Sequence, residues 1–186
     1  NHFFSISGGS NNTNYHFGIG YQQDQGIFLK DNETRYNIKA AIDTKVNDYW
    51  SAGVSLNLAR TIDDWGSGNA VANAFWSNPY FIPEDENGEY YLQSGISSTL
   101  GTSSGAQFSS LLNPLVDMEN TVYGAQKLHI LGNIYLTFSP IKNLTFKTTL
   151  SPNIYQGRTH LYETVNTQSR NSKGTDRAEV KSTNMF

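Results

Sequence analysis

The stretch Thr34-Arg35-Tyr36-Asn37-Ile38-Lys39-Ala40-Ala41-Ile42-Asp43-Thr44-Lys45-Val46 decides the fold. Its even positions hold Thr, Tyr, Ile, Ala, Ile, Thr and Val, and its odd positions Arg, Asn, Lys, Ala, Asp and Lys. That period of two belongs to a two-faced strand and not to a helix. After a tight turn at Asn47-Asp48-Tyr49, Trp50, Ala52, Val54, Leu56 and Leu58 share one face, opposite Ser51, Gly53, Ser55, Asn57 and Ala59. A second pair repeats the design. Leu128, Ile130, Gly132, Ile134, Leu136 and Phe138 alternate with Lys127, His129, Leu131, Asn133, Tyr135 and Thr137. Pro140-Ile141-Lys142-Asn143 turns the chain, and Leu144, Phe146 and Leu150 return. Near the start, His2, Phe4 and Ile6 open a strand that turns over Ser10 to Asn14 and comes back through Tyr15, Phe17, Ile19 and Tyr21. Ile27 and Leu29 keep that parity.

Strands of roughly 12 residues are long for a soluble sandwich, whose strands average ~5–6, and suit a tilted crossing of the hydrocarbon layer. Connections alternate between short (10–14, 46–49, 140–143) and long (about 22–33, 63–126 and 156–177). Outer-membrane barrels sort their periplasmic turns and external loops in the same way. The expected fold is all-β, a segment of about 6–7 strands from an antiparallel transmembrane β-barrel. Tyr49 and Trp50 are then expected at the inner membrane interface, where amphipathic rings settle, or else packed locally at a strand end.

Composition agrees. The 186 residues are 37% hydrophobic and 13% aromatic, too rich in packing groups for disorder, yet only 16% charged against roughly 25% in soluble domains. A net charge of -3 without a basic stripe excludes nucleic acid as a partner. The absence of cysteine excludes a disulfide framework, a zinc ribbon and a thiol nucleophile. No apolar run is long enough for a membrane helix, and the negative mean hydropathy does not argue against strands. Asn1-His2-Phe3-Phe4 lacks the features of a signal peptide and reads like mid-chain, and Glu179 to Phe186 reads like a strand cut off as it begins. An arc with two open edges cannot stand in lipid alone, so the chain is expected to be part of a larger barrel.

Residues 63–126 exceed an idle connection and carry Trp65, Phe75, Trp76, Tyr80, Phe81, Tyr90 and Tyr91. Trp65, Trp76, Tyr80, Phe81, Tyr90 and Tyr91 are the candidates for contact with substrate or partner, because exposed rings stack on sugars and anchor proteins. The alternative is that they pack the loop on itself. A short helix is expected over residues 70–76, stopped by Asn78-Pro79, and a Ser/Thr/Gly-rich mobile stretch over 94–110. Asp85-Glu86-Asn87-Gly88-Glu89 lacks the ligand spacing of a calcium loop and reads as a β-turn. The four histidines are not clustered, so neither metal nor cofactor is expected, and no acid, base and nucleophile converge. Gly18-Ile19-Gly20 lacks the third glycine of a dinucleotide site. Arg158 and His160 are expected near the external rim, where lipopolysaccharide phosphates lie.

Short pieces in order then carry a resemblance. They are Ser5-Ile6-Ser7-Gly8-Gly9, Thr13-Asn14-Tyr15, Gly20-Tyr21, Gln25-Gly26-Ile27, Arg35-Tyr36-Asn37 and Asp43-Thr44-Lys45-Val46-Asn47-Asp48, followed by Asn113-Pro114-Leu115, Leu131-Gly132-Asn133 and Pro140-Ile141-Lys142-Asn143-Leu144-Thr145-Phe146. Over nearly its whole length the chain resembles the SusC/RagA-type TonB-dependent transporters of Bacteroidetes outer membranes. The resemblance implies an early-to-middle stretch of a plugged barrel of roughly 22 strands, with the plug domain outside this chain. It implies import of oligosaccharides or peptides, a SusD-like surface lipoprotein as partner, energy from TonB through the plug, and contact with outer-membrane lipid. A secreted carbohydrate-binding or adhesive β-domain without transport is the alternative, and solubility without detergent separates the two.

Overall fold

The computed structural model describes residues 1–77, 79–92 and 111–186. Among these described residues eight strands form one sheet: β1 (His2–Gly9), β2 (Thr13–Gln25), β3 (Asn32–Lys45), β4 (Trp50–Trp65), β5 (Thr121–Ile141), β6 (Leu144–Leu150), β7 (Asn153–Glu163) and β8 (Arg177–Met185). Every pairing is antiparallel, in the order β1-β2-β3-β4-β5-β7-β8, with β6 also on β5. β6 and β7 make one broken return strand. Ile134 pairs with Leu150 and Leu131 with Asn153, a single register that skips only Ser151 and Pro152. Pro152 has no N–H to give, but its carbonyl still accepts from Gly132 N at 2.9 Å.

The short connections gather at one end of the sheet and the long ones at the other. Asn47 Oδ1 accepts from the backbone N–H of Tyr49 and Trp50 at 2.8 and 2.9 Å, closing the turn after β3. At the next short turn the strand runs farther than the sequence pattern predicts. Pro140 lies inside β5, at a register shift between Phe138 and Ile141, and only Lys142-Asn143 turns, with Asn143 at φ 67°. A bulge is where a strand tolerates proline.

The long connections are shorter than expected: 26–31, 66–120 and 164–176. β4 and β5 stay paired out to Trp65 and Tyr123, where the side chains turn polar and the alternation fades while the backbone ladder continues. Ile27 and Leu29 do not extend a strand and stand in the exposed 26–31 loop, since the chain must reverse there into β3. Helix α1 (Gly68–Trp76) starts two residues before the expected one and ends on Ser77; Asn78 and the 94–110 stretch lie outside the described residues. Helix α2 (Pro114–Glu119), with Asn113 as its cap and Pro114 opening it, was not expected at all.

The registers carry one face across the whole sheet. Phe4 pairs with Ile19, Ile19 with Ile38, Ile38 with Leu58, Leu58 with Ile130 and Ile130 with Ile154. The neighbouring row is Ile6, Phe17, Ala40, Leu56 and Gly132. No second sheet covers this face among the described residues. Phe4, Ile6, Phe17, Ile19, Ile42, Val54, Leu56, Ile134, Leu136, Phe146 and Leu150 are all exposed, Phe146 at 58% and Leu150 at 64%. Full burial of such a side chain is worth roughly 1.5–3 kcal/mol. Even half of that, over this set, is comparable to the ~5–15 kcal/mol that holds an ordinary domain folded. Among the described residues the buried apolar side chains are Ala70, Leu112, Val116, Met118 and Ala125, and of these Ala125 alone is in the sheet.

Candidate functional site

Rings bound the apolar band at both ends. Toward the short turns, Trp50 stacks on Phe138 at 4.3 Å, and Phe146 pairs with Phe138. Toward the long loops, Tyr21 meets Tyr36 at 5.4 Å and His2 lies 6.5 Å from Tyr21, in the row that continues to Arg60. From Trp50 to Arg60 is ten residues of β4. At ~3.4 Å per residue and a tilt of ~40° that is about 26 Å of height, the thickness of the apolar belt on outer-membrane barrels.

The opposite face is polar and cross-linked. Tyr135 reaches across Gly53 to donate to Asp43 Oδ1 at 2.5 Å, and Lys147 Nζ stands 4.7 Å from the Tyr135 ring centre. A Cβ on Gly53 would lie 2.2 Å from the Tyr135 ring, so glycine is what admits the ring. Phe3 lies over Gly18 and Gly20, where an added Cβ would sit 3.3 and 3.4 Å from its ring, a closer fit but not a clash. Farther along this face, Asp63, 3% exposed, pairs with Lys127 at 2.7 Å.

Beyond the band the three long connections build one layer, centred on buried polar groups. Asp117 of α2 is fully buried; it accepts from the Ser67 hydroxyl and from the backbone N–H of Gln168. Ser67 also caps α1, accepting from Ala70 N at 3.3 Å. Asn113, equally buried, accepts from Leu115 N at 3.0 Å and donates to Pro83 O and Tyr91 O, both at 2.9 Å. Gln168 accepts from Leu112 N at 2.8 Å and Asn73 Nδ2 at 3.2 Å. Thr164 donates its backbone N–H and its hydroxyl to Asn120 at 3.1 and 2.7 Å. From the 26–31 loop, Lys30 Nζ donates to the Met118 and Glu119 carbonyls that end α2, at 2.9 and 3.3 Å. Gly66 lets the layer close: a Cβ there would meet Met118 Sδ at 2.6 Å and the Leu29 carbonyl at 2.7 Å.

This frame places the aromatic candidates unevenly. Trp65 ends β4 on the polar face, against Tyr123 at 4.7 Å with Lys127 Nζ 5.6 Å from its ring centre, so it belongs to a strand and not to the loop. Phe81 and Tyr90 are half-buried, and Tyr91 is exposed beside the Asn113 anchor. Trp76 and Tyr80 stand out at 67% and 88% exposed, with Phe75 at 86%. Beside Phe75 a groove of about 370 Å³ runs between Ile27, Phe28, Leu29, α1 and Leu115. The Asp85 segment is the β-turn read from sequence. Asp85 accepts from the N–H groups of Asn87 and Glu89 at 2.8 and 2.9 Å, Gly88 has φ 82°, and Glu84 bridges Tyr90. Those N–H donors, Glu89 first, hold the Asp85 carboxyl below its ordinary pKa. No cluster of metal-ligating side chains occurs among the described residues.

A single antiparallel sheet with one ring-bounded apolar face, one cross-linked polar face and a loop layer at one end is the arc of a β-barrel. Its likeness is to TonB-dependent transporters. The chain is 26% identical over 152 residues to a TonB-dependent receptor of Formosa agariphila, covering 80% of this chain and 14% of that one. The RagAB peptide transporter structure superposes with a TM-score of 0.66 at 22% identity, over 87% of this chain and 18% of that one, and shares the fold. The chain thus spans less than a fifth of either relative. No family model matches it.

Proposed function

We propose that this chain is a section of the barrel domain of an outer-membrane importer, with its apolar face in lipid and its polar face toward a plugged lumen. The uncovered, ring-bounded apolar band carries the reading, because a soluble adhesive domain would leave that band in water. In this reading the short turns are periplasmic and the layer of α1, α2 and the 164–176 loop is external. TonB drives uptake through a plug outside this chain, and a SusD-like lipoprotein closes over the external layer. Trp65, Trp76, Tyr80, Phe81, Tyr90 and Tyr91 are its candidates for contact, with Trp76 and Tyr80 foremost because most of each residue is exposed. Oligosaccharides and peptides are the substrate classes. The likeness to a peptide transporter is one of fold and does not choose between them.

Trp76→Ala and Tyr80→Ala in the full-length protein are expected to lower uptake or lipoprotein capture while leaving heat-modifiable barrel assembly intact. Uptake and capture unchanged by either substitution would remove that residue from the interface. If the isolated chain is monomeric, cooperatively folded and soluble without detergent, the membrane reading fails.

A further inference from the structure

The apolar face carries two arginines at its upper edge, Arg60 in the upper row of rings and Arg158 one step beyond it. Arg60 of β4 pairs with Leu128 and Arg158 of β7 with Gln126, so they flank β5 from either side, one step apart along it. Strand spacings put their Cα atoms about 12 Å apart, within reach of two extended side chains converging on one group. Both are exposed, and neither forms an ion pair or hydrogen bond among the described residues. Between them is a concavity of about 410 Å³, to which Gln126, Gln156, Ser182 and Asn184 add amides and a hydroxyl. The nearest carboxylate on this face of β4 is Asp64, four residues beyond Arg60 and so about 14 Å away along the strand. Lys127 and Asp63 pair with each other on the opposite face.

We propose that this concavity binds the phosphate of a glycolipid headgroup in the outer leaflet, gripped by Arg60 and Arg158. The inference rests on the reading that the apolar face meets lipid. Depth supports it: Arg60 shares a row with Tyr21 and Tyr36, the level at which interfacial rings mark the headgroups. Chemistry supports it as well. A guanidinium facing hydrocarbon is costly, whereas at the interface it is nearly free, and its fork matches phosphate oxygens in a bidentate fashion. The neighbouring amides and hydroxyl suit sugar hydroxyls, which an inorganic ion would leave unused.

The test is native mass spectrometry of the full-length transporter extracted from outer membranes, comparing wild type with Arg60→Gln/Arg158→Gln. At least a fivefold loss of co-purifying phosphorylated glycolipid is expected in the double variant. Delipidated wild type should rebind lipid A and not its dephosphorylated form, an arm that does not depend on how the variant folds. Equal retention by variant and wild type, or equal rebinding of the dephosphorylated lipid, overturns the proposal. So does saturation by inorganic phosphate alone, which would mark a simple anion site. Recovery of the protein outside the membrane would instead defeat the barrel reading beneath it.

Discussion

Gly53 shows how much a single missing methyl group controls. The Tyr135 ring occupies the space above it to reach Asp43, linking three strands across the polar face. Gly53→Ala is expected to displace that ring and lose a hydrogen bond worth about 1 kcal/mol in a partly exposed setting. The check is thermal unfolding of the full-length protein in detergent, against Tyr135→Phe. Gly53→Ala should lower the midpoint at least as much as Tyr135→Phe, and no shift in either would mean the bridge contributes nothing. Sequence placed Gly53 on the right face but gave no sign of its partner. A contact between Asp43 and Tyr135, 92 residues apart, exists only once two strand registers are fixed.

Among the elements, strands were legible and the loop layer was not. Alternation survives wherever one face must be apolar, so β3, β4 and most of β5 could be read directly from residue order. It fades above the band, where both faces are polar, and there the predicted loops began too early. Helix α2 did leave a trace in Asn113-Pro114, a capping residue followed by a proline fit for the first turn. The role of Asp117 left none, because Ser67 and Gln168 lie 50 and 51 residues away in sequence. Asp117→Ala strands two buried donors, at roughly 1–3 kcal/mol each. Hydrogen exchange should therefore quicken in 66–77 and 164–176 together, with the strands unaffected. Exchange confined to α2 would mean that the layer is not one unit.

At the scale of the molecule the two faces set opposite rules for neighbouring positions. Leu56 sits midway between the ring rows on the apolar face, while Asn57 faces the other way. Leu56→Lys is expected to cost ~2–4 kcal/mol and Asn57→Lys close to nothing, read as the yield of folded barrel in lipid. Equal tolerance would mean that the apolar face does not meet hydrocarbon. The return strand, finally, has a mechanical consequence. At the depth of Leu56 and Gly132, Pro152 omits one rung, because it accepts from Gly132 but cannot donate back. Peeled under tension from the loop end, the hairpin parts first along the eleven residues of β7 and meets its weakest point at the missing rung. The break then runs on into the seven residues of β6 with one rung fewer to hold it.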